Sequence, residues 1–184
     1  MNAPNAGSRA QIWIVLGVFF VPLVLAFLMY YGGGWRPAGS TNHGELISPP
    51  RPLSGDIWHG KWTLVYVGDG RCDGQCRAAL VLMRQTRLAL NADMSRVQRV
   101  FLATANCCER AYLDEQHPGL IVAPADNEAG ASLLATIPDT PAVDGYIYIV
   151  DPLGNLMMRH APAAPPAKGL LEDLRKLLKL SHIG

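Results

Sequence analysis

The apolar positions of this chain fall first into one long unbroken run. From Ile12 to Tyr31 twenty consecutive residues carry no charge, a length that at about 1.5 Å of rise per residue spans a hydrocarbon core of about 30 Å. Pro22 is tolerable in such a helix, and Trp13, Tyr30, Tyr31 and Trp35 fall near its two ends, where aromatic rings favour the membrane interface. The pattern predicts a transmembrane helix over 12–31. A cleaved signal peptide is the competing reading, but the run exceeds a usual signal core and Tyr-Tyr-Gly-Gly-Gly-Trp makes a poor cleavage site.

Beyond it the pattern alternates between strand and helix periods. Lys61 to Gly68 is a short β-rich run. Arg77 to Leu90 carries Leu80, Met83, Leu88 and Leu90 among good helix formers, and Arg99 to Ala105 reads as a second strand. A loop with Cys107 and Cys108 leads into a short helix over Arg110 to Gln116, a brief apolar run over Gly119 to Ala123, and a helical turn or two over Ala129 to Ala135. Tyr146 to Val150 is the strongest strand signal. It enters the turn Asp151-Pro152-Leu153-Gly154-Asn155 and leaves through Leu156 to Arg159, which predicts a β-hairpin. In Lys168 to Leu180 the residues Leu170, Leu171, Leu174, Leu177 and Leu178 recur at helical spacing, with Glu172, Asp173, Arg175, Lys176 and Lys179 on the other face, the mark of an amphipathic helix packed on a sheet.

These runs divide the chain into a cytoplasmic N-terminus over 1–11, an anchor over 12–31, a Gly/Pro-rich extended linker over 32–57 and one α/β domain over 58–184. The Ala/Pro run over 161–167 reads as a short extended linker before the last helix. The formal net charge is only +1, and no basic patch interleaved with aromatics points to nucleic acid.

Chemistry concentrates at Cys72 and Cys76, four residues apart between the first strand and the first helix. Cys76 would lie near the first helical turn, where unpaired N–H groups and the helix dipole favour thiolate, and Arg71 and Arg77 push the same way. If helical geometry reaches back to Cys72, both sulfurs share one face. Membrane orientation sets their redox setting. Arg9 and the amino terminus precede the helix while Arg36 and Arg51 follow it, a weak positive-inside bias. A short acid-free N-terminus kept inside places the domain in a periplasm-like space that permits disulfides. The expectation is a single-pass protein of the inner membrane, in contact with its lipid.

A β-α-β half, a connecting region, a hairpin and a closing helix is the element order of the thioredoxin fold. The stretch Gly60-Lys61-Trp62-Thr63-Leu64-Val65-Tyr66-Val67-Gly68, the Cys72-x-x-x-Cys76 pair and the run Tyr146 to Gly154 together resemble the Sco/SenC family of cytochrome c oxidase assembly proteins. The resemblance covers about Trp58 to Leu180. It implies a thioredoxin-like domain behind one N-terminal membrane anchor, with oxidase subunits or other assembly factors as partners. It also implies a Cys pair that binds copper with a distant His, or that reduces the disulfide of an oxidase copper site.

Two departures bear on that. The family's His falls on Val143, where the nearest potential ligand is Asp144, and Asp73-Gly74-Gln75 replaces the family's loop with its Pro. His160, Met157, Met158, His117 and His59 are substitute donors, each with a plainer reading. The methionines would fill the core side of a strand, His160 would cap a strand end in solvent, His117 would sit in a turn and His59 in a loop. Two thiolates can still hold Cu(I) in linear fashion. Adjacent Cys107 and Cys108 are expected as separate thiols, since usual disulfides join Cα atoms about 4.4–6.8 Å apart against about 3.8 Å for neighbours. They are candidates for relaying a disulfide from Cys72 and Cys76, or for a four-thiolate metal site. Three functions follow as expectations: a thiol–disulfide oxidoreductase, a Cu(I) chaperone acting by ligand exchange, and a non-catalytic docking protein of the oxidase.

Overall fold

The structure is a computed structural model describing residues 6–32, 41–106, 108–137, 145–161 and 167–181. The chain falls into two compact units, the first ending at Ser40 and the second beginning at Thr41. The first holds α1 (Ala6–Tyr31), whose stretch Ala10–Tyr31 is long and apolar enough to cross a membrane, with none of its hydrophobic window buried inside the protein. Its side chains from Ala10 onward face outward all round, as a lipid-solvated helix requires and a core helix does not.

The second unit is built on one six-stranded sheet. Its strands are β1 (Glu45–Pro52), β2 (Trp62–Gly68), β3 (Val97–Ala103), β4 (Leu120–Pro124), β5 (Ile147–Val150) and β6 (Asn155–His160), in the spatial order β1-β6-β5-β2-β3-β4. β2, β3 and β4 run parallel, whereas β5 lies antiparallel to β2 and β6, and β1 antiparallel to β6. Every residue of β2 is buried because both faces of this central strand are covered, which is why it reads as a continuous apolar run. On one face Leu64 and Tyr66 pack with residues of α2 (Gly74–Leu88), α3 (Arg110–Gln116) and α5 (Ala167–Leu180); on the other Val65 and Val67 pack with α4 (Glu128–Thr136) and Trp58.

The hairpin forms for a local reason. Asp151 Oδ1 accepts the N–H groups of Leu153 and Asn155 at 2.9 and 2.7 Å, and Gly154 sits at φ +85°, where an L side chain would be strained.

Three expectations are corrected here. The stretch 32–57 is not extended linker throughout, because Glu45–Pro52 adds β1 to the sheet edge. Three prolines in eight residues suit an edge strand, whose outer N–H groups have no ladder to join, and they erase the alternation that would announce it. The second concerns charge. Asp173 does not face solvent; its side chain is fully buried and accepts the N–H groups of His43 and Gly44, each at 2.8 Å. His160, expected in solvent, is only 6% exposed, with Nε2 3.5 Å from Asp173 Oδ2. The segment leading into β1 closes over both, and a Cβ on Gly44 would stand 2.5 Å from the His160 ring.

Candidate functional site

β2 delivers the chain to the carboxyl edge of the sheet and stops at Gly68, where a Cβ would meet the Tyr66 ring at 2.9 Å. The loop that follows is pinned to the neighbouring strand exit. Thr104 N donates to Gly68 O at 2.9 Å, and Gly70 N to Ala105 O at 2.7 Å. Asp69 holds the loop's own shape, accepting from Arg71 N at 2.8 Å, Arg71 Nε at 3.2 Å and Asn106 Nδ2 at 2.9 Å. Those bonds, the Arg71 side chain's first, hold its carboxyl at about 2, below the usual 3.8.

Cys72 and Cys76 are joined by a disulfide, their Cα atoms 5.0 Å apart. Helical geometry does not reach back to Cys72, which has φ +48°, the left-handed region that costs a non-glycine residue about 1 kcal/mol or more. Asp73 is the N-cap of α2, and its Oδ1 accepts from Cys76 N at 3.0 Å. Cys76 is therefore the third helical residue, within the turn where the dipole favours a thiolate.

The flanking arginines do not serve the sulfurs as the sequence suggests. Arg71 is paired with Asp69 at 3.2 Å. Arg77 is engaged three times: Nε donates to Cys72 O at 3.1 Å, Nη2 lies 3.0 Å from Glu109 Oε2, and the guanidinium stands 4.6 Å over the Tyr112 ring. Each positive charge has its own carboxylate, so the helix end is left as the main electrostatic lever on the thiols.

Both cysteines are nearly enclosed, with Cys72 1% and Cys76 3% exposed. A cavity of about 220 Å³ opens beside them, lined by Tyr66, Gly68, Asp69, Arg71, Asp73, Gln75 and Cys76. Cys72 is not among its walls. Of the two cysteines, Cys76 lines this cavity.

The second cysteine pair is expected at the same sheet edge, and the loop after β3 does run there: Glu109 N donates to Gly70 O at 3.4 Å. Cys108 is itself disulfide-bonded, not the separate thiol expected. With Cys72 and Cys76 bonded to each other, no bond joins it to that pair. Cys107 lies outside the described residues.

Among the described residues no group of three or more His, Cys, Asp or Glu is placed to hold a metal ion. In the disulfide state both sulfurs are bonded to each other and offer no thiolate. The substitute donors are elsewhere. His160 turns to Asp173, His117 is buried with Nε2 3.3 Å from the Tyr112 hydroxyl, His59 pairs across to Leu153, and Met158 is core, with Met157 half-buried. Val143 and Asp144 lie outside the described residues. The third donor that a copper site of the Sco kind needs is not assembled around Cys72 and Cys76 by any described residue. Burial is the signal the sequence could not give: spacing finds the two cysteines, but not which ionisable groups are used up elsewhere.

Comparison with known proteins extends these observations. Sco1 of Thermus thermophilus, solved in the apo state, superposes with a TM-score of 0.56 at 19% identity, covering 77% of this chain and 99% of that one. Yeast Sco1 with copper bound gives 0.55 at 16% identity, covering 78% and 96%. Arabidopsis thaliana ScoI with copper bound gives 0.53 at 17%, covering 68% and 88%. At these identities the likeness shows a shared thioredoxin-like fold. No curated protein matches the chain. Residues 62–181, from the first residue of β2 to just past the end of α5, match one family model, and by that match the chain belongs to the family described as the transmembrane-like, thioredoxin-like, C-terminal domain.

Proposed function

We propose that this protein is a membrane-anchored thiol–disulfide oxidoreductase, and that its domain faces a periplasm-like space and acts on the copper-site thiols of a cytochrome c oxidase. The observation that carries the reading is the Cys72–Cys76 disulfide, with Cys76 in the first turn of α2. The Sco-like fold and the apolar helix α1 support the setting.

The chemistry is a balanced exchange of one disulfide for another. In the reduced protein one cysteine thiolate attacks a partner disulfide, forming a mixed disulfide and releasing a partner thiolate that takes up a proton. The second cysteine then attacks the mixed disulfide, closing Cys72–Cys76 and releasing the second partner thiol. Two electrons pass from the protein to the partner. The cavity favours Cys76 as the sulfur that meets the partner, since its residue lines the open space and Cys72 does not. Helix position agrees, because Cys76 stands in the first turn, where free N–H groups and the dipole favour a thiolate, whereas Cys72 precedes the N-cap.

A Cu(I) carrier is the second reading, favoured by the copper-bound proteins that share the fold. After reduction it would rest on two thiolates as a linear pair, with copper as cargo. One experiment separates the readings. The reduced full chain in detergent is mixed with an oxidised peptide carrying an oxidase copper-site disulfide, and separately titrated with Cu(I). Loss of the peptide disulfide, with Cys72–Cys76 formed in equal amount and neither Cys72→Ser nor Cys76→Ser carrying the exchange past a mixed disulfide, is the expected result. Tight cysteine-dependent Cu(I) uptake without exchange would move the function to copper carriage, and neither property would leave a docking protein.

A further inference from the structure

Away from the disulfide, buried positive charge has no carboxylate to meet it among the described residues. Arg99 on β3 is 3% exposed, and only its Nη2 has a partner, the Pro118 carbonyl at 2.7 Å; Nε and Nη1 are enclosed and unpartnered. His117, at the end of α3, is 1% exposed and its Nδ1 is likewise enclosed without a partner. From α2, Arg84 Nη1 donates to the Gln116 carbonyl at 2.9 Å and Arg87 Nε to the Val97 carbonyl at 2.7 Å. Arg84 and Arg99 thus grip the backbone on either side of His117. Among the described residues no Asp or Glu forms an ion pair with Arg84, Arg87 or Arg99. The groups repel one another: burial first, then Arg87 and Arg84, hold Arg99 below its ordinary pKa, and burial, then Arg99 and Arg84, do the same to His117.

Buried guanidinium groups are normally met by a carboxylate or phosphate, because an unpaired buried charge costs far more than an unpaired neutral donor. An enclosed water would satisfy the free N–H groups of Arg99 but leave the charge uncompensated. We propose that Arg99, His117, Arg84 and Arg87 form a binding site for one small oxyanion of the phosphate or sulfate class, between the C-terminal half of α2 and the turn joining α3 to β4. Arg99 Nε and Nη1 and the Nδ1–H tautomer of His117 are the donors left for the anion, and the exposed Arg84 marks the side open to solvent. A bound anion would neutralise the mutual repulsion of the cations, and its charge-assisted bonds to guanidinium groups are the strong kind. The site is independent of the thiol chemistry.

The test is calorimetric titration of the oxidised full chain in neutral detergent with inorganic phosphate, and then sulfate, at fixed ionic strength. One saturable ion per chain is expected, with affinity weakened about ten- to a hundredfold in Arg84→Gln and further in Arg84→Gln/Arg87→Gln. These exposed and half-buried side chains can change without emptying the core, so the test does not depend on Arg99→Met folding. Repeating the titration in nanodiscs identifies the source of the phosphate. Loss of phosphate binding when phosphatidylglycerol replaces a neutral lipid assigns the site to a headgroup, and unchanged binding assigns it to the free ion. Heats that never saturate, or an affinity unaltered in the double variant, would overturn the proposal.

Discussion

Arg77 turns back from the first turns of α2 to donate from Nε to the carbonyl oxygen of Cys72 at 3.1 Å. The same guanidinium lies 4.6 Å over Tyr112, and Tyr112 in turn meets His117, so the left-handed loop that presents the first sulfur is tied to α3 by one side chain. Replacing Arg77 by alanine removes a carbonyl bond, a cation–π contact and a half-exposed ion pair that solvent screens to little. The expected loss is about 1–2 kcal/mol, read as a fall of about 3–8 °C in the Tm of the oxidised chain. Arg77→Lys should recover less than half of it, because an ammonium cannot reproduce the planar contacts. An unchanged Tm in Arg77→Ala would show that the loop is held by its other bonds.

Asp73 caps α2 while standing three residues from Cys76 in sequence, and the two roles oppose each other. Its Oδ1 receives Cys76 N–H at 3.0 Å, and its charge disfavours a thiolate at that residue. In a Cys72→Ser background, Asp73→Asn keeps a capping oxygen and removes the charge. The Cys76 thiol pKa, followed by thiolate absorbance, should fall by about half a unit or more, while Asp73→Ala should cost about 1 kcal/mol of stability. A pKa that does not move would place the carboxylate's effect below that of the helix end.

The strand ladder and the dithiol could be read from the chain, and the reason is physical. The fully apolar run of β2, the Asp151 turn and the leucine spacing of α5 are local signals, complete within about ten residues each. What could not be read depends on partners far along the chain. Asp173 has the spacing of a charged surface residue, and only the return of His43 and Gly44, about 130 positions earlier, makes it a buried acceptor. β1 hides its pairing behind its prolines, and Arg71 and Arg77 look like free charges until Asp69 and Glu109 are placed beside them.

The cluster around Asp173 carries its own expectation. Asp173→Ala leaves the N–H groups of His43 and Gly44 without their buried acceptor, a loss of about 3 kcal/mol. Thermal unfolding should drop by about 10 °C. A change within 2 °C would mean that water replaces the carboxylate, at about half a kcal/mol.

The pH dependence has a definite sign. Burial holds His160 and His117 below the ordinary histidine value of 6.5, so near that pH the unfolded chain takes up protons that the folded chain refuses. The groups facing His160 are Asp173, which partly opposes the shift, and His43, which adds to it. Stability is therefore full above about 6.5 and lost as pH falls from there toward the lowered folded values. Denaturant midpoints measured between pH 7 and pH 5 should fall, and His160→Gln should flatten the slope. Asp69 acts separately: its lowered pKa gives stability that is full above 3.8 and is lost only as pH falls from there toward about 2. A midpoint that rises on acidification toward pH 5 would contradict the buried neutral imidazoles.

Which sulfur takes part in the proposed disulfide exchange is open to trapping. Incubated with an aromatic disulfide, the Cys72→Ser chain should form a mixed disulfide at Cys76 at least about tenfold faster than the Cys76→Ser chain forms one at Cys72, because Cys76 lines the cavity beside the disulfide and Cys72 does not. The reverse order would assign the entry to Cys72 and require the loop to open.

The most direct measurement of redox function is the equilibrium of Cys72–Cys76 in the folded full chain against glutathione buffers, read by alkylation and mass. A reversible two-electron transition with a midpoint between about −180 and −300 mV, abolished in either single serine variant, is the predicted result. A bond that stays closed in folded protein through the most reducing buffer would contradict it, and would leave the disulfide a structural staple.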